Sequence, residues 1–310
     1  MLWTRPESSA TAQAMRTEAS SEDVHRTLGL SAAFGVLIIW SCFIVFSRAG
    51  VQTALTPGDI TALRFMVAGA LTLPFVRVWW PRHLGVVPFM VMSVCGAGAL
   101  YTMLTYIGLT QASAAYAGVF TNGALPFFTI LIVISVTGVL PNRLQLLGLV
   151  IVTLGAIGVA LAGVERTEQN VARGIALFLA AAAIQSVYIF GVRHWKITPY
   201  QALIIVNIPN ALVFLPLWYF VLPSGLAQAD LGTILFQALF QGLGPGFIAV
   251  ILFALSARHL GPNATAGFSA AVPASAALLA IPALGEIPQP MEWIGIGLVT
   301  LGLLLLVRSR

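Results

Sequence analysis

Two apolar runs joined by one short turn occur twice in this chain. The stretch Gln111–Gly155 returns, altered, at Arg258–Gly302. Setting Pro126 on Pro273 fixes an offset of 147 (273 − 126). The same offset carries Gly138 to Gly285, Pro141 to Pro288, Gly148 to Gly295, and Val152-Thr153-Leu154-Gly155 to Val299-Thr300-Leu301-Gly302. A register held across two helix-length runs and their turn marks a duplicated unit. Earlier segments echo more faintly. Gly29, Ser41 and Arg48 meet Gly174, Ser186 and Arg193 at offset 145; Thr56-Pro57 and Leu73-Pro74 meet Thr198-Pro199 and Leu215-Pro216 at offset 142. Shared composition is the competing explanation, and it weighs more on these early matches than on the later ones.

The runs are long enough to cross a bilayer. Ten follow a polar start, at Leu28–Phe46, Ile60–Trp79, Val86–Leu109, Ser113–Thr137, Leu144–Ala162, Ala172–Val192, Tyr200–Leu222, Gly232–Ala257, Ala264–Leu284 and Met291–Val307. A spanning helix needs roughly 17–25 residues. Of the 310 residues, 59% are hydrophobic and only 8% charged, whereas soluble proteins carry about 25% charged residues. Backbone groups in lipid must be bonded internally, so the spans are helices; the alternating ten-residue segments of a β-barrel are absent. Residues 1–27 are polar and aperiodic and are expected to form a disordered cytoplasmic tail. The domain reading is therefore a tail at 1–27, one five-helix unit at 28–163 and a second at 172–310.

Basic residues set the orientation. With the N-terminus inside, Arg5, Arg16, Arg26, Arg77, Arg82, Arg143, Arg193, Lys196, Arg258, Arg308 and Arg310 fall on the cytoplasmic side; Arg48, Arg166 and Arg173 fall outside. Both termini are expected in the cytoplasm. An odd number of helices per unit inverts the second unit relative to the first. The expected fold is an all-α membrane protein: ten transmembrane helices as two inverted five-helix repeats around a central cavity. Many secondary transporters are built this way, with substrate bound near the midplane where the repeats meet. The net charge of +5 comes without a dense basic run, which argues against nucleic acid. Cys42 and Cys95 lie in apolar runs and read as small buried hydrophobes. No metal or cofactor is expected.

Gly285-Glu286, followed after the turn by Trp293-Ile294-Gly295 and Leu298-Val299-Thr300-Leu301-Gly302, resembles the EamA repeat of the drug/metabolite transporter superfamily. The likeness covers nearly the whole chain after the tail. Val139 stands where the first repeat usually has a Glu, so that acidic position survives only as Glu286. As a whole the chain is most similar to bacterial YddG-type exporters of aromatic amino acids and related compounds. The resemblance implies residence in the bacterial inner membrane. It also implies a cavity lined mainly by helices one, three, four, six, eight and nine, and outward movement of metabolites.

No Asp, Glu, Lys or His lies deep in any span. Proton-coupled carriers generally relay protons through such groups, so facilitated diffusion or exchange is expected. Arg64 is the one deep charge. It either meets a substrate carboxylate, snorkels, or pairs with Asp59 or backbone carbonyls. Uncharged polar groups are better pocket candidates, because an unpartnered buried amide costs roughly 2–7 kcal/mol. Asn122 and its mate Ser269, Gln185 and Tyr188 on one helix face, and Gln237 with Gln241 on another qualify as substrate contacts or interhelical glue. Trp40 and Phe43, mates of Gln185 and Tyr188, and Tyr101 add mid-span aromatics that either meet a substrate ring or simply pack. Trp79, Trp80, Trp195, Trp218 and Trp293 lie near span ends and read as an interfacial belt. Pro126, Pro273 and Gly244-Pro245 interrupt matching helices and are candidate hinges, and Gly96 and Gly98 loosen the third span.

The expected function is export of small neutral metabolites, most of all aromatic amino acids, by alternating access. The expected partners are that solute and the lipid bilayer, with the chain a monomer or weak dimer. A carrier for nucleotide sugars or other phosphorylated metabolites would need Lys or Arg in the cavity, and only Arg64 is there. A membrane-embedded enzyme would need a Ser/His pair, an aspartate pair or HExxH at membrane depth, and none occurs. A non-transporting scaffold would not need two matched sets of broken helices.

Overall fold

The computed structural model describes residues 7–165 and 170–308, and their side chains except at 7–24, 164, 165, 262 and 263. Among the described residues ten helices are long and apolar enough to span a membrane. They are α1 His25–Val51, α2 Pro57–Trp79, α3 Val86–Gln111, α4 Ala114–Thr137, α5 Arg143–Gly163, α6 Val171–His194, α7 Pro199–Val221, α8 Leu231–Leu260, α9 Ala264–Leu284 and α10 Pro290–Arg308. The helix carrying α1 begins at Glu7, inside the stretch expected as a tail. Residues 7–27 hold no Pro or Gly. Ala, Glu, Gln and Met are good helix formers, and extending a helix is far easier than nucleating one. Of the charges used for orientation, Arg5, Arg166, Arg310 and the side chain of Arg16 lie outside the described residues, as do those of Glu165 and Glu168.

Several repeat echoes have a backbone cause. Thr56 caps α2: its hydroxyl accepts from Asp59 N at 3.1 Å, and its own N–H donates to Asp59 Oδ2 at 2.9 Å. Thr198 caps α7 in the same way through Gln201, at 3.3 and 3.0 Å. A proline follows each cap at the first helical position, where its missing N–H costs nothing. At the other helix ends Gly138 and Gly285 take φ of +70° and +67°. That is the left-handed cap which side chains disfavour.

The two units are inverted. His25 at the start of α1 stacks on His259 near the end of α8, and Gly50 at the other end of α1 abuts Gln237 near the start of α8. These helices are antiparallel. The mates obey the same rule: Gly174 at the start of α6 abuts Gln111 and Ala112 at the end of α3, and Gly191 abuts Met92. Arg48 reaches the carbonyl of Leu109, so α1 ends on the face where α6 begins. The face where α1 starts is called the terminal face below, since α10 also ends there; the other is the opposite face.

Pairs across the units hold the bundle together. α5 and α10 cross with their backbones nearly touching. A Cβ on Gly155 would lie 2.6 Å from the Gly295 carbonyl oxygen, and one on Gly295 would lie 2.5 Å from that of Gly155. Gly148 and Gly302 repeat this at 3.1 and 2.8 Å. The 147-residue offset turns one pair into the other, so the seam straddles a local two-fold axis. Small residues permit the close backbone approach that drives helix association in lipid.

Candidate functional site

Among the described residues four helices break or take a π turn, in two repeat-related pairs. α4 passes through a π-helical turn at Gly118–Gly123 before resuming at Leu125. α9 stops after Ser269 and resumes at Val272. α3 breaks between Val94 and Ala99, and α8 has a π turn at Gly244–Ile248. Single π turns gather at functional sites. The prolines act differently from the expected mid-helix kink. Pro126 and Pro273 each sit in the first turn of the resumed segment, where a missing N–H is harmless. The breaks precede the prolines and meet each other: a Cβ on Gly118 would lie 3.1 Å from Pro273 Cα.

Two asparagines that sequence reasoning passed over serve these breaks. Asn210 in α7 accepts from Ala99 N at 2.8 Å and donates to the Ser93 carbonyl at 2.9 Å, so it bonds one group on each side of the α3 break. Asn207, three residues earlier, donates to the Gly246 carbonyl in the α8 turn and to Thr72 Oγ1, both at 3.1 Å. The signal was present. Two amides at i, i+3 beside Pro209 in an apolar span must find partners in lipid.

Six of the candidate substrate residues are half-buried at the level of the breaks. Asn122 lies within the α4 turn and Ser269 just before the α9 break. Ser269 also bonds back to the Thr265 carbonyl at 3.1 Å. Trp40 stacks on Phe253, just past the α8 turn, with centroids 5.6 Å apart. The ring of Tyr188 touches the position that a side chain on Gly96 would take in the α3 break. Gln185 leaves its buried Oε1 without a hydrogen bond, and Tyr101 is half-buried two residues past Ala99. Phe43 and Gln241 are placed differently. Phe43 is buried against Tyr106 and the Arg64 guanidinium. Gln241, at 0% exposure, accepts from Tyr106 Oη at 3.2 Å and donates to Ser47 and Gln237 at 3.0 and 3.1 Å. Gln237 donates in turn to the Phe46 carbonyl. Both glutamines are thus glue between α1, α3 and α8. Both N–H groups of the Gln241 amide are donated to protein partners and its oxygen accepts from Tyr106, so interhelical packing accounts for it.

The bundle is packed more tightly on one side of the breaks than on the other. Toward the opposite face, Ala114–Ala117 of α4 packs on α1 and on Val272–Leu284 of α9, and α1 packs on Ala99–Gln111 of α3. The repeat-related contacts would join Pro262–Ser269 to α6 and to Leu125–Thr137 of α4, and would join α6 to Ala249–Leu260 of α8. Among the described residues those surfaces are packed much less closely than their mates. Burial agrees. Ala114–Thr121 are all buried, while of the described mates at 261–268 only Thr265 is. The terminal-face side of the breaks, between α4/α6 and α8/α9, is therefore the more loosely packed of the two.

A charged latch closes the opposite face. Arg48 Nε lies 2.7 Å from Glu286 Oε1, and each side chain is 19% exposed. Arg48 also donates to the Leu109 carbonyl, and Glu286 Oε2 accepts from Ala114 N at 2.9 Å. Two side chains thus tie the ends of α1, α3, α4 and α9 through charge-assisted bonds, the stronger kind. Beside it a cavity of about 630 Å³ opens on that face, lined by Thr110, Gln111, Ser113 and Asn170 together with the latch.

Arg64 does not pair with Asp59, which corrects one expectation. Asp59 is occupied by Thr56, by Trp218 Nε1 at 2.8 Å and by Gly225 N at 2.8 Å. Trp218 is therefore a structural donor as well as an interfacial ring. Arg64 is 3% exposed and lies over the rings of Phe43 and Phe65, 5.6 and 5.8 Å from their centroids.

Comparison with known proteins now places the molecule. The EamA-like transporter family matches residues 27–161 and 172–308. A membrane transporter of two repeats is thus the class that fold and sequence define together. The chain belongs to the EamA-like transporter family. Thirteen chains of solved structures match it. One crystal structure covers 92% of this chain and 99% of its own at TM-score 0.60 and 19% identity, a likeness of fold. No curated protein matches the sequence.

Proposed function

We propose that the chain exports neutral amino acids, aromatic ones above all, by alternating access through the passage at the four breaks, as facilitated diffusion or exchange. The observation that carries this reading is the chemistry at the breaks. Trp40, Phe253, Tyr101 and Tyr188 supply aromatic surface, Asn122 and Gln185 supply uncharged polar groups, and no carboxylate or imidazole stands at that level. An aromatic ring buries about 150–250 Å². At about 25 cal/mol per Å² that stabilises binding by roughly 4–6 kcal/mol before ordering costs. Binding stays weak enough for release. The excess of basic residues makes the terminal face cytoplasmic, in a bacterial inner membrane with both termini inside. The more loosely packed side of the breaks then faces the cytoplasm, from which an exporter must load.

Counterflow in proteoliposomes tests the reading. Labelled phenylalanine or tryptophan trapped inside should exchange with external aromatic amino acids. Dissipating a pH gradient should leave that exchange unchanged. Exchange of nucleotide sugars with no exchange of amino acids would overturn the substrate assignment.

A further inference from the structure

Among the described residues Arg64 is a buried cation without a counter-anion. Asp59, on the same helix, serves the α2 cap, Trp218 and Gly225, and Glu286 serves Arg48. The guanidinium makes one long bond, from Nη2 to the Ala97 carbonyl at 3.4 Å, and its buried Nε has no hydrogen-bond partner. Tyr101 and Tyr106 lie close enough to feel its charge. Stabilisation otherwise comes from the faces of Phe43 and Phe65. Holding a charge this deep with so few acceptors is expensive, and intramembrane charges that persist are generally functional.

The position also fits. Ala97 lies in the α3 break, where the helix ladder is open. The neighbouring Gly96 touches Tyr188, a candidate on the passage. Arg64 thus approaches the passage through the gap in α3, with half-buried Tyr101 beside it. A guanidinium offers a planar fork that takes a carboxylate through two parallel bonds. The atoms left unsatisfied here are those such a ligand would fill.

We propose that Arg64 anchors the carboxylate of the transported solute, with the solute's side chain lying toward Tyr101 and Tyr188. This rests on the amino-acid reading above and narrows it: a free carboxylate becomes a requirement, and the corresponding amines and amides are excluded. When no solute is bound, the long bond to Ala97 holds the guanidinium in place.

The test is competition in the counterflow assay with the full-length chain. Phenylalanine, phenylalaninamide and phenethylamine differ at the carboxylate and keep the ring. Wild type should favour the acid at least tenfold over both analogues. Arg64→Gln should bring the three within about threefold of one another, and Arg64→Lys, which keeps charge but loses the fork, should fall between. Size-exclusion profiles establish that each variant is folded. Equal competition by all three compounds in wild type overturns the proposal without any variant, so a misfolded Arg64→Gln leaves it testable. If aromatic amino acids exchange and Arg64→Gln leaves the acid preference intact, the anchor fails and the substrate reading stands. If non-aromatic carboxylates exchange in an Arg64-dependent way and aromatic ones do not, the anchor stands and the aromatic reading falls.

Discussion

The two mouths of this bundle descend from one duplicated sequence and are built differently. At the opposite face Arg48 and Glu286 join four helix ends. At the terminal face their repeat mates are Arg193 and Val139, both exposed, the latter at 62%. One mouth carries both halves of a latch and the other only the basic half. The packing follows, since the segment behind the latch is buried throughout while its described mates are mostly half-buried. One duplicated unit built both mouths, and the mouth without an acidic partner is the more exposed one.

The largest test concerns what the two mouths share. Gly155→Leu should force α5 and α10 apart, because even its Cβ would lie 2.6 Å from a backbone oxygen. We expect a loss of about 3 kcal/mol or more, seen as early thermal unfolding in detergent. Gly297→Leu, where a Cβ meets nothing within 4 Å, should be near neutral. If the two variants melt together, the seam does not hold the halves.

Next comes the support of the paired breaks. Asn210→Ala leaves the Ser93 carbonyl and Ala99 N without a partner, and Asn207→Ala does the same at Gly246. Each should cost about 2 kcal/mol in denaturant titration. A loss at only one would mean that the α3 and α8 breaks are not equivalent.

The latch itself should carry less. Glu286→Gln removes the ion pair and should raise the population open at the opposite face roughly tenfold, or about 1.4 kcal/mol. The readout is labelling of Ala115→Cys by an impermeant maleimide, with Cys42 and Cys95 replaced by Ser. An unchanged rate would show that packing alone closes that mouth. The smallest effect is the converse. Val139→Glu restores the missing acid opposite Arg193. An exposed pair contributes about 0–1 kcal/mol, so labelling of Ala266→Cys at the terminal face should slow a few-fold at most. Faster labelling would refute the repeat-mate argument.

The duplication was legible because it rests on backbone demands. Gly138 and Gly285 need left-handed φ, Thr56-Pro57 and Thr198-Pro199 start helices, and the seam needs Gly148, Gly155, Gly295 and Gly302. Such constraints are local, or repeat in register, and a sequence records them directly. The site was only half legible. Trp40, Asn122, Gln185 and Tyr188 come to the breaks as polar and aromatic mid-span residues should. Gln241 differs, because two of its partners, Ser47 and Tyr106, come from other helices far away in the chain. Asp59 looked like a partner for Arg64, five residues along one helix, until its oxygens were seen to be used elsewhere. Which mouth is open depends on how whole helices lean, and no single residue records that.

The α5–α10 seam has one further consequence. In an inverted-repeat carrier, switching sides amounts to each half adopting the shape of the other. Exchanging the halves maps Gly148·Gly302 onto Gly155·Gly295, so this junction is the same before and after the switch. It can serve as a stationary keel while the remaining helices rock. A pair of spin labels flanking it should report one distance whichever way the carrier faces.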